Sequence, residues 1–325
     1  MIRDAQRVIL RSFRMARRNA GVTLEPHRCA MRRPRFWFPL LLALAVAVAD
    51  RSLASQQTVF RSGVDLVNVT VTVVDRNGRF VSGLKKEDFT VLDDGEGQEI
   101  VNFSADRVPV SLGIVLDVSA SMTPEKMSAA RIAIKRFAFD LLSPDDELFL
   151  AQFAHRTTML QTWTKDRDTL SRALDRAEIQ TRTYLYDAVR ATLPTAATGE
   201  NTKKALLILS DGADTGSRTT IKRLQEIIRV SEVLVYALGV EADGDVDEKS
   251  LRKITEDTGG RTEVVKGFKN LDKATAQLAS ELNQQYSIAY AMPHQNDGKW
   301  HSIKVTVKGR GLNVRSRTGY ATTSD

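Results

Sequence analysis

An apolar segment that ends in a run of oxygen-bearing side chains constrains this chain more than any other feature. The segment Leu112 to Leu116 is followed by Asp117-Val118-Ser119-Ala120-Ser121, and Thr123 and Pro124 come soon after. Five apolar residues predict a buried strand, while Thr123 is a typical N-cap and Pro124 a typical first residue of a helix. We therefore predict a strand-to-helix loop, the place where open α/β sheets bind their ligands.

The side chains of this loop suit a hard cation. Asp117 offers a carboxylate, and Ser119 and Ser121 offer two hydroxyls. Oxygen ligands without nitrogen or sulfur favour Mg²⁺ or Mn²⁺. The pattern D-x-S-x-S is short and arises often by chance, so taken alone it is equally consistent with a helix cap and a turn.

Two further segments make the pattern specific. Leu206 to Ser210 is a second strand-like segment that ends in an aspartate, Asp211, and Thr183 precedes a segment with helical spacing that begins near Leu185. In order, spacing and context these segments resemble the von Willebrand factor type A family. The metal-ion-dependent adhesion site of that family combines D-x-S-x-S, a loop threonine and a strand-end aspartate.

The resemblance implies a role for each matching residue. Ser119, Ser121 and Thr183 would coordinate a divalent cation directly, and Asp117 and Asp211 would bind it directly or through water. Neutral hydroxyls do little to quench a divalent charge, so such a cation keeps a demand for an anionic ligand. In this family that ligand is usually an Asp or Glu carboxylate of a protein partner.

Three more residues are assigned to the rim where a partner would bind. Arg182 stands before Thr183, where relatives of this type usually have glycine, and adds a positive charge. Tyr184 follows Thr183 directly. His155 comes just after the strand predicted at 147–153 and could approach the rim, although a solvated loop position is the simpler interpretation.

The order of predicted elements indicates an α/β domain between two β segments. Strands and helices alternate over 108–284, which predicts a doubly wound, Rossmann-like sheet with mostly parallel strands. Residues 55–107 predict strands, including an alternating one from Val67 to Val73 and a pairing of Phe89–Leu92 with Glu99–Phe103. Residues 285–325 predict strands again. Neither flank makes a core alone, so we predict that both join in one immunoglobulin-like sandwich.

The same order resembles the exported "VWFA-related" family described from Acidobacteria over nearly all of residues 58–322. The resemblance rests on Gly83-Leu84 with Glu87-Asp88-Phe89 and on the closing segment Arg317-Thr318-Gly319-Tyr320. It implies an extracytoplasmic protein and supplies no partner.

The amino-terminal segment, residues 1–54, has the composition of an export signal. It holds 11 basic and 3 acidic residues, whereas the whole chain holds 47 and 40, so the basic excess lies in this leader. Basic residues precede the apolar run Phe36 to Ala49, which ends in small residues and is short for a membrane span. We predict cleavage near residues 49–55, no stable membrane span after cleavage, and a periplasmic, surface or secreted location. The single cysteine, Cys29, would be lost with the leader.

A signal peptide rarely begins behind thirty residues that are rich in arginine, as residues 1–30 are. We therefore predict that translation starts at Met31. Such a start gives the expected short basic segment before the apolar run. Peptide mapping of a translated, export-blocked product checks this; a peptide containing Arg14 to Arg18 would contradict it.

Three functions compete at this stage. The first is an exported adhesion or protein-binding module that uses the divalent cation. The second is a structural envelope or surface scaffold with a vestigial metal site, and the third is a metal-dependent hydrolase. Motifs such as G-x-S-x-G, H-E-x-x-H and G-x-x-x-x-G-K-[ST] are absent from the sequence, so we predict that the protein is not an enzyme. With the basic excess confined to the leader, nucleic-acid binding has no support.

Other candidate metal ligands are weaker in the sequence. The four histidines are scattered at 27, 155, 294 and 301, which argues against a zinc site. The segment Asp243-Gly244-Asp245-Val246-Asp247 resembles a calcium loop, but Glu248 stands where the pattern requires glycine after the third acidic position. Asp93-Asp94-Gly95 is predicted to be a hairpin turn rather than a ligand set.

Overall fold

The computed structural model describes residues 65–241, 246–267, 270–294 and 297–323. The leader, with Met31 and Cys29, and the Asp243 loop lie outside these residues. Among the residues described, no helix is long and apolar enough to cross a membrane.

Fourteen strands and six α-helices make up the described part of the chain. The strands are β1 (Leu66–Val74), β2 (Phe89–Asp93), β3 (Glu96–Gln98), β4 (Ile100–Ser104), β5 (Val110–Asp117), β6 (Glu147–Phe153), β7 (Thr157–Thr164), β8 (Lys203–Ser210), β9 (Leu234–Glu241), β10 (Thr262–Lys266), β11 (Tyr286–Ala291), β12 (Trp300–Val307), β13 (Asn313–Arg315) and β14 (Gly319–Ala321). The helices are α1 (Pro124–Arg136), α2 (Arg167–Asp175), α3 (Leu185–Ala197), α4 (Ile221–Arg229), α5 (Glu248–Thr255) and α6 (Leu271–Gln284).

The middle of the chain forms an α/β domain, which consists of β5–β10 and α1–α6. Its sheet has the order β10-β9-β8-β5-β6-β7, and every pairing is parallel except β6 with β7. β5, which carries the predicted site at its carboxyl end, lies between β8 and β6 near the centre. The predicted doubly wound sheet with mostly parallel strands is therefore present.

Helices cover both faces of this sheet. Leu112, Ile114 and Leu116 of β5 pack into one core layer with α1, α2 and α6, whereas Val115 packs into the other with α3, α4 and α5. Gly113 allows this close packing, because a Cβ there would lie 2.1 Å from a ring carbon of Phe149. Burial on both faces explains why the central strands are continuously apolar.

One strand of this sheet does not follow from the sequence pattern. β7 is the antiparallel edge strand, and it is rich in threonine and only partly buried. Neither a continuous apolar run nor a clean alternation marks it, because an edge strand with few fully buried positions needs neither. The sequence after Pro124 also predicts a helix over 124–142, whereas α1 ends at Arg136 and a π-helical turn at Phe137–Leu141 follows it.

The two flanks form a β domain, which consists of β1–β4 and β11–β14. It contains two antiparallel four-stranded sheets, with the orders β13-β1-β11-β4 and β14-β12-β2-β3. Both sheets contribute to one hydrophobic cluster that includes Val69, Val91, Ile288 and Ile303. Strands from both flanks therefore share these two sheets, while the immunoglobulin-like sandwich stays a prediction.

The predicted pairing of Phe89–Leu92 with Glu99–Phe103 is wrong. β2 pairs with β3 in a tight hairpin and with β12, whereas β4 pairs with β11 in the other sheet. The predicted loop, 93–98, was too long, because Asp94 (φ 49°) and Gly95 (φ 89°) alone make the turn. Two positive φ values are typical of the two-residue hairpin turn that follows the twist of its strands.

The closing segment Arg317-Thr318-Gly319-Tyr320 joins the β domain to the α/β domain. Arg317, which is almost fully buried, donates from Nη1 to Glu232 Oε1 at 3.2 Å. A Cβ at Gly319 would lie 2.2 Å from the carbonyl oxygen of His301, so this position of β14 accepts no side chain beside β12.

A buried carboxylate on α6 also connects the two domains. Glu281 is fully buried, and its Oε2 accepts a hydrogen bond from Arg261 Nε at 2.8 Å in the α/β domain. Its Oε1 accepts from Arg315 Nη2 at 2.8 Å in the β domain. One carboxylate thus holds an arginine from each domain.

We predict that Glu281→Ala destabilises the protein strongly. The substitution leaves two partly buried guanidinium groups without their shared anion, and breaking a buried ion pair from one side costs about 3–5 kcal/mol. Urea unfolding followed by tryptophan fluorescence measures the effect. The matched control is Asp175→Ala, which removes the exposed pair of Asp175 with Lys135 and should cost about 1 kcal/mol or less. Equal losses in the two variants would contradict the bridging role of Glu281.

Candidate metal centre

The first loop of the candidate site begins where β5 ends. Asp117 and Ser119 are buried and Ser121 is exposed, so the loop rises from the core to the surface within five residues. Met122 N donates to Ser119 O at 2.9 Å and closes a turn. Thr123 Oγ1 then accepts from Lys126 N at 3.4 Å, which caps α1 as its sequence predicts.

The carboxylate of Asp117 is held from both sides. Oδ1 accepts a hydrogen bond from Ser119 N at 2.8 Å, and Oδ2 accepts one from Ser210 Oγ at 2.6 Å. The Ser210 hydroxyl in turn accepts from Gly212 N at 3.0 Å. β5 and β8 are neighbours in the sheet, so the end of one strand positions the acid at the end of the other.

Two serine hydroxyls lie beside this carboxylate. Ser119 Oγ and Ser121 Oγ are 2.9 Å apart, a distance at which both can bind one cation. Burial raises the pKa of Asp117 to about 6, and the negative charge of Asp211 adds to the increase, although hydrogen bonds from Ser119 and Ser210 oppose it. A cation among these oxygens would remove this electrostatic cost.

The second loop reaches this site through backbone hydrogen bonds. Gln180 N donates to Val118 O at 2.6 Å, next to the first loop. Tyr184 N donates to Ala154 O at 2.9 Å, at the end of β6. Thr183, which lies between these attachments, is almost fully buried. The structure therefore brings the loop of Thr183 to the same edge of the sheet as Asp117.

The segment after β8 fixes the position of Thr183. Thr183 N donates to Thr215 Oγ1 at 2.9 Å, and Thr215 N donates to Thr183 O at 2.8 Å. Asp211 itself lies at the start of this segment and is half-buried, with its Oδ1 accepting from Ala213 N at 3.3 Å. Thr183 and Asp211 are thus on two segments that are bonded to each other.

Helix α3 strengthens the same connection. Asp187, in its first turn, accepts hydrogen bonds from Arg218 N at 2.8 Å and from Thr219 Oγ1 at 2.6 Å. Although burial opposes the change, these hydrogen bonds lower the pKa of Asp187. Asp214 likewise accepts from Tyr186 N at 3.2 Å. These hydrogen bonds of segment 211–220 therefore hold the loops of the site in place.

The rim residues differ in how firmly the structure places them. Arg182 Nη1 donates to Tyr184 OH at 3.1 Å, so these two side chains form one exposed unit. Arg182 has φ 65°, the left-handed conformation that glycine adopts more easily. His155 is exposed in the turn next to Ala154 O, the atom that accepts from Tyr184 N. All three residues lie at the same edge of the sheet.

The sequence identified the residues with ligand chemistry and missed those that hold them. Ser210, Asp214 and Thr215 were not singled out, although they position Asp117 and Thr183. The available signal was the mostly polar segment that begins at Ser210, directly after the apolar residues of β8.

Comparison with protein families places the site in context. Residues 112–277, about half of the chain, match the model of the von Willebrand factor type A domain. Among curated proteins, the chain is 28% identical over 203 residues to a UPF0353 protein of Mycobacterium leprae (strain Br4923). That match covers 53% of this chain and 60% of the relative, so the chain spans well under two thirds of it.

Two solved structures share the fold. A von Willebrand factor type A structure from Catenulispora acidiphila is 15% identical, covers 82% of this chain and 76% of its own, and gives a TM-score of 0.50. Proximal thread matrix protein 1 from the mussel byssus, with a zinc-occupied MIDAS motif, is 18% identical. The match covers 59% of this chain and 50% of the mussel protein chain, with a TM-score of 0.50.

The raised pKa of Asp117 predicts that the metal-free protein loses stability as the pH rises. The folded-state pKa of about 6 exceeds the ordinary value of 3.8, so folding favours the protonated acid. The protonated Asp117 therefore contributes its full stabilisation below its ordinary pKa. The free energy of unfolding falls by about 3 kcal/mol as the pH rises through the folded-state pKa. Thermal unfolding in chelator from about pH 4 to pH 8 should show it, and Asp117→Asn should flatten the profile.

The control for this prediction is Asp175→Asn, which removes an exposed carboxylate and should keep the pH profile of the parent. The amide of Asp117→Asn replaces one oxygen that accepts a hydrogen bond, so this variant is less stable than the parent at every pH. The slope of stability with pH is therefore the readout. A profile as steep as that of the parent would show that Asp117 is not the titrating group.

Proposed function

Because this chain belongs to the von Willebrand factor type A domain family, we propose that it is a metal-dependent protein-binding module that captures an acidic residue of a partner. The cation would be held by five residues: Asp117, Ser119, Ser121, Thr183 and Asp211. The activity of the whole protein is part of this proposal, since the curated relatives match over only part of their length.

The observation that carries the proposal is the pair of serine hydroxyls beside a buried carboxylate. Ser119 Oγ and Ser121 Oγ are 2.9 Å apart. Asp117, which lies between the loop of these serines and Ser210, is fully buried. Hydroxyls are neutral, so they orient a divalent cation without cancelling its charge. A cation held in this way supplies an electrophilic position for the carboxylate of an Asp or Glu on a partner.

The donor set favours Mg²⁺ or Mn²⁺ as the cation. All five proposed ligands offer oxygen, which hard divalent ions prefer, and two of them are carboxylates. Burial of Asp117 near Asp211 also favours a cation there, because the pKa of Asp117 is raised without one.

The rim agrees with an acidic partner. Arg182 is exposed and hydrogen-bonded to Tyr184, so a positive charge lies beside the second loop. A guanidinium at this position would attract the carboxylate of a partner and favour its approach. We include His155 in the partner-binding rim because its turn is attached to Tyr184 through Ala154.

The surroundings of the Asp117 carboxylate agree better with a binding role than with a hydrolytic one. Both oxygens of Asp117 already accept hydrogen bonds, from Ser119 N and Ser210 Oγ, so the carboxylate is engaged in positioning. Asp117 is also fully buried, whereas a general base must come within reach of a substrate proton. The proposal is therefore a module without catalytic activity.

We place this module outside the cytoplasm, with boundaries at 108–284 for the type A domain. The basic leader with its apolar run supports export. Residues 55–107 and 285–325 would make the accompanying immunoglobulin-like domain. Its two sheets enclose one core, which supports the proposal.

The test is a titration of the purified chain with Mn²⁺, followed by water proton relaxation. The parent should bind one more Mn²⁺ than the double variant Ser119→Ala, Ser121→Ala. Acetate, as the probe for a partner carboxylate, should lower the relaxation enhancement of the parent because it displaces water from the bound ion. Ser280→Ala, which removes a hydroxyl from α6 on another part of the domain, is the matched control.

Equal Mn²⁺ stoichiometry in the parent and the double serine variant would refute the metal site. Loss of one ion without any effect of acetate would keep the metal site and refute carboxylate capture.

A further inference from the structure

A second cluster of metal-ligating side chains lies in the β domain, away from the site of Asp117. Asp93 ends β2, Asp94 begins the turn to β3, His301 is in β12, and His294 follows β11. One ligand atom from each of these four residues lies within 4.8 Å of the others. The His294 and His301 rings are stacked, with centroids 4.1 Å apart and planes within 7°.

One oxygen of the cluster is buried without a hydrogen-bond partner. Asp93 is fully buried, and its Oδ2 accepts from Tyr290 OH at 2.7 Å and from Tyr320 OH at 2.9 Å. Its Oδ1 has no hydrogen-bond partner among the described residues, and it lies 3.7 Å from His294 Nε2. An unsatisfied buried carboxylate oxygen is costly, so a ligand for it is expected.

The remaining residues present their ligand atoms toward this oxygen. His301 Nε2 lies 3.1 Å from Asp297 Oδ1, a contact that fixes the ring and leaves Nδ1 on the side of Asp94. A carboxylate behind a histidine is the usual support for a metal-binding imidazole. Asp94 is held as well, because its Oδ1 accepts from Ser302 N at 2.7 Å.

The distances suit a tetrahedral cation. His294 Nε2 lies 3.7 Å from Asp93 Oδ1 and 3.8 Å from Asp94 Oδ2. Bonds of about 2.0–2.2 Å to zinc place neighbouring ligand atoms roughly 3.3–3.5 Å apart. His301 Nδ1 already contacts Asp94 Oδ2 at 2.8 Å, so these two atoms would have to separate as the cation enters. Two parallel rings cannot both hold one cation in their planes, so the partly exposed His294 ring would also turn out of the stack.

We propose that Asp93, Asp94, His294 and His301 form a second metal site, which binds a Zn²⁺-class cation and fastens the β domain. Imidazole ligands distinguish it from the oxygen-only first site, because two nitrogens and two carboxylates suit Zn²⁺ better than Mg²⁺. His294 and Asp94 are partly exposed, at 39% and 42% of their side chains, so a cation can enter from solvent.

The position of this site explains what the cation would do. It would join the β2–β3 turn, β12 and the connection before β12, while Tyr290 of the opposite sheet also holds Asp93. The chain has a single cysteine, Cys29, so no disulfide can staple the β domain. Small domains with limited cores commonly gain stability from a metal or a disulfide.

The sequence argument against zinc rested on the spacing of the histidines. His294 and His301 are seven residues apart and belong to different elements, so no short motif reveals them. The turn predicted at Asp93-Asp94-Gly95 is present, and this turn is what brings both carboxylates beside the histidines.

The test uses the chain that carries Ser119→Ala and Ser121→Ala, so that the first site does not contribute. This protein should bind one Zn²⁺ by calorimetry, and Co²⁺ in its place should give the visible absorption of a tetrahedral ion. Adding His294→Ala should weaken Zn²⁺ binding at least tenfold and abolish the Co²⁺ spectrum. It should also remove the rise in melting temperature that Zn²⁺ causes.

Two further variants keep the result interpretable. Asp94→Asn tolerates the positive φ of the turn and removes one charge, so it should fold and bind Zn²⁺ more weakly. Asp175→Asn removes one charge from an exposed carboxylate outside both sites and should bind Zn²⁺ as its background does. Zn²⁺ affinity that is the same with and without His294, or an absence of Zn²⁺ binding in the serine-variant background, would overturn the proposal.

Discussion

The buried carboxylate of Asp117 is the constraint on which the rest of the site depends. It lies at the end of a central strand, where burial and the charge of Asp211 raise its pKa to about 6. Hydrogen bonds from Ser119 N and Ser210 Oγ hold it in one orientation. Burial of a carboxylate in this place has an electrostatic cost that a helix cap or a turn does not explain, and the proposed divalent cation would offset it.

The scaffold around this carboxylate is built to keep three loops together. Thr183 is held by Thr215, and the segment of Asp211 is bound to the first turn of α3 through Asp187. At the opposite end of the domain, Glu281 ties α6 to the β domain through Arg315. A movement of α6 along the sheet would therefore have to break this buried ion pair.

Much of the fold follows from the sequence because burial on both faces leaves a strong pattern. The apolar runs at β5 and β8 were predicted close to their observed bounds, whereas α1 ends earlier than predicted. The edge strand β7 and the pairing partner of β2 were not predicted. An exposed edge leaves a weak signal, and the two-residue turn at Asp94-Gly95 was included in a longer loop. Strand pairing in the β domain depends on contacts between residues about two hundred positions apart, such as β1 with β11.

The residues of the candidate site also fall into those that the sequence pattern reveals and those that it does not. Ligand chemistry at Asp117, Ser119 and Asp211 is visible because strand-end oxygens at fixed spacing are rare in combination. The supporting role of Ser210 is not visible, because one serine in a polar run looks like any other. The stacking of His294 on His301 was equally hidden, since the fold and not the spacing brings the two rings together.

The central claim is that the oxygens at the end of β5 hold a divalent cation. The most direct measurement is anomalous diffraction at the manganese absorption edge from crystals of the full chain grown with Mn²⁺. We expect an anomalous peak within about 2.2 Å of both Ser119 Oγ and Ser121 Oγ, a normal bond length for an oxygen ligand to such an ion. Ordered loops at this position without an anomalous peak would contradict the account.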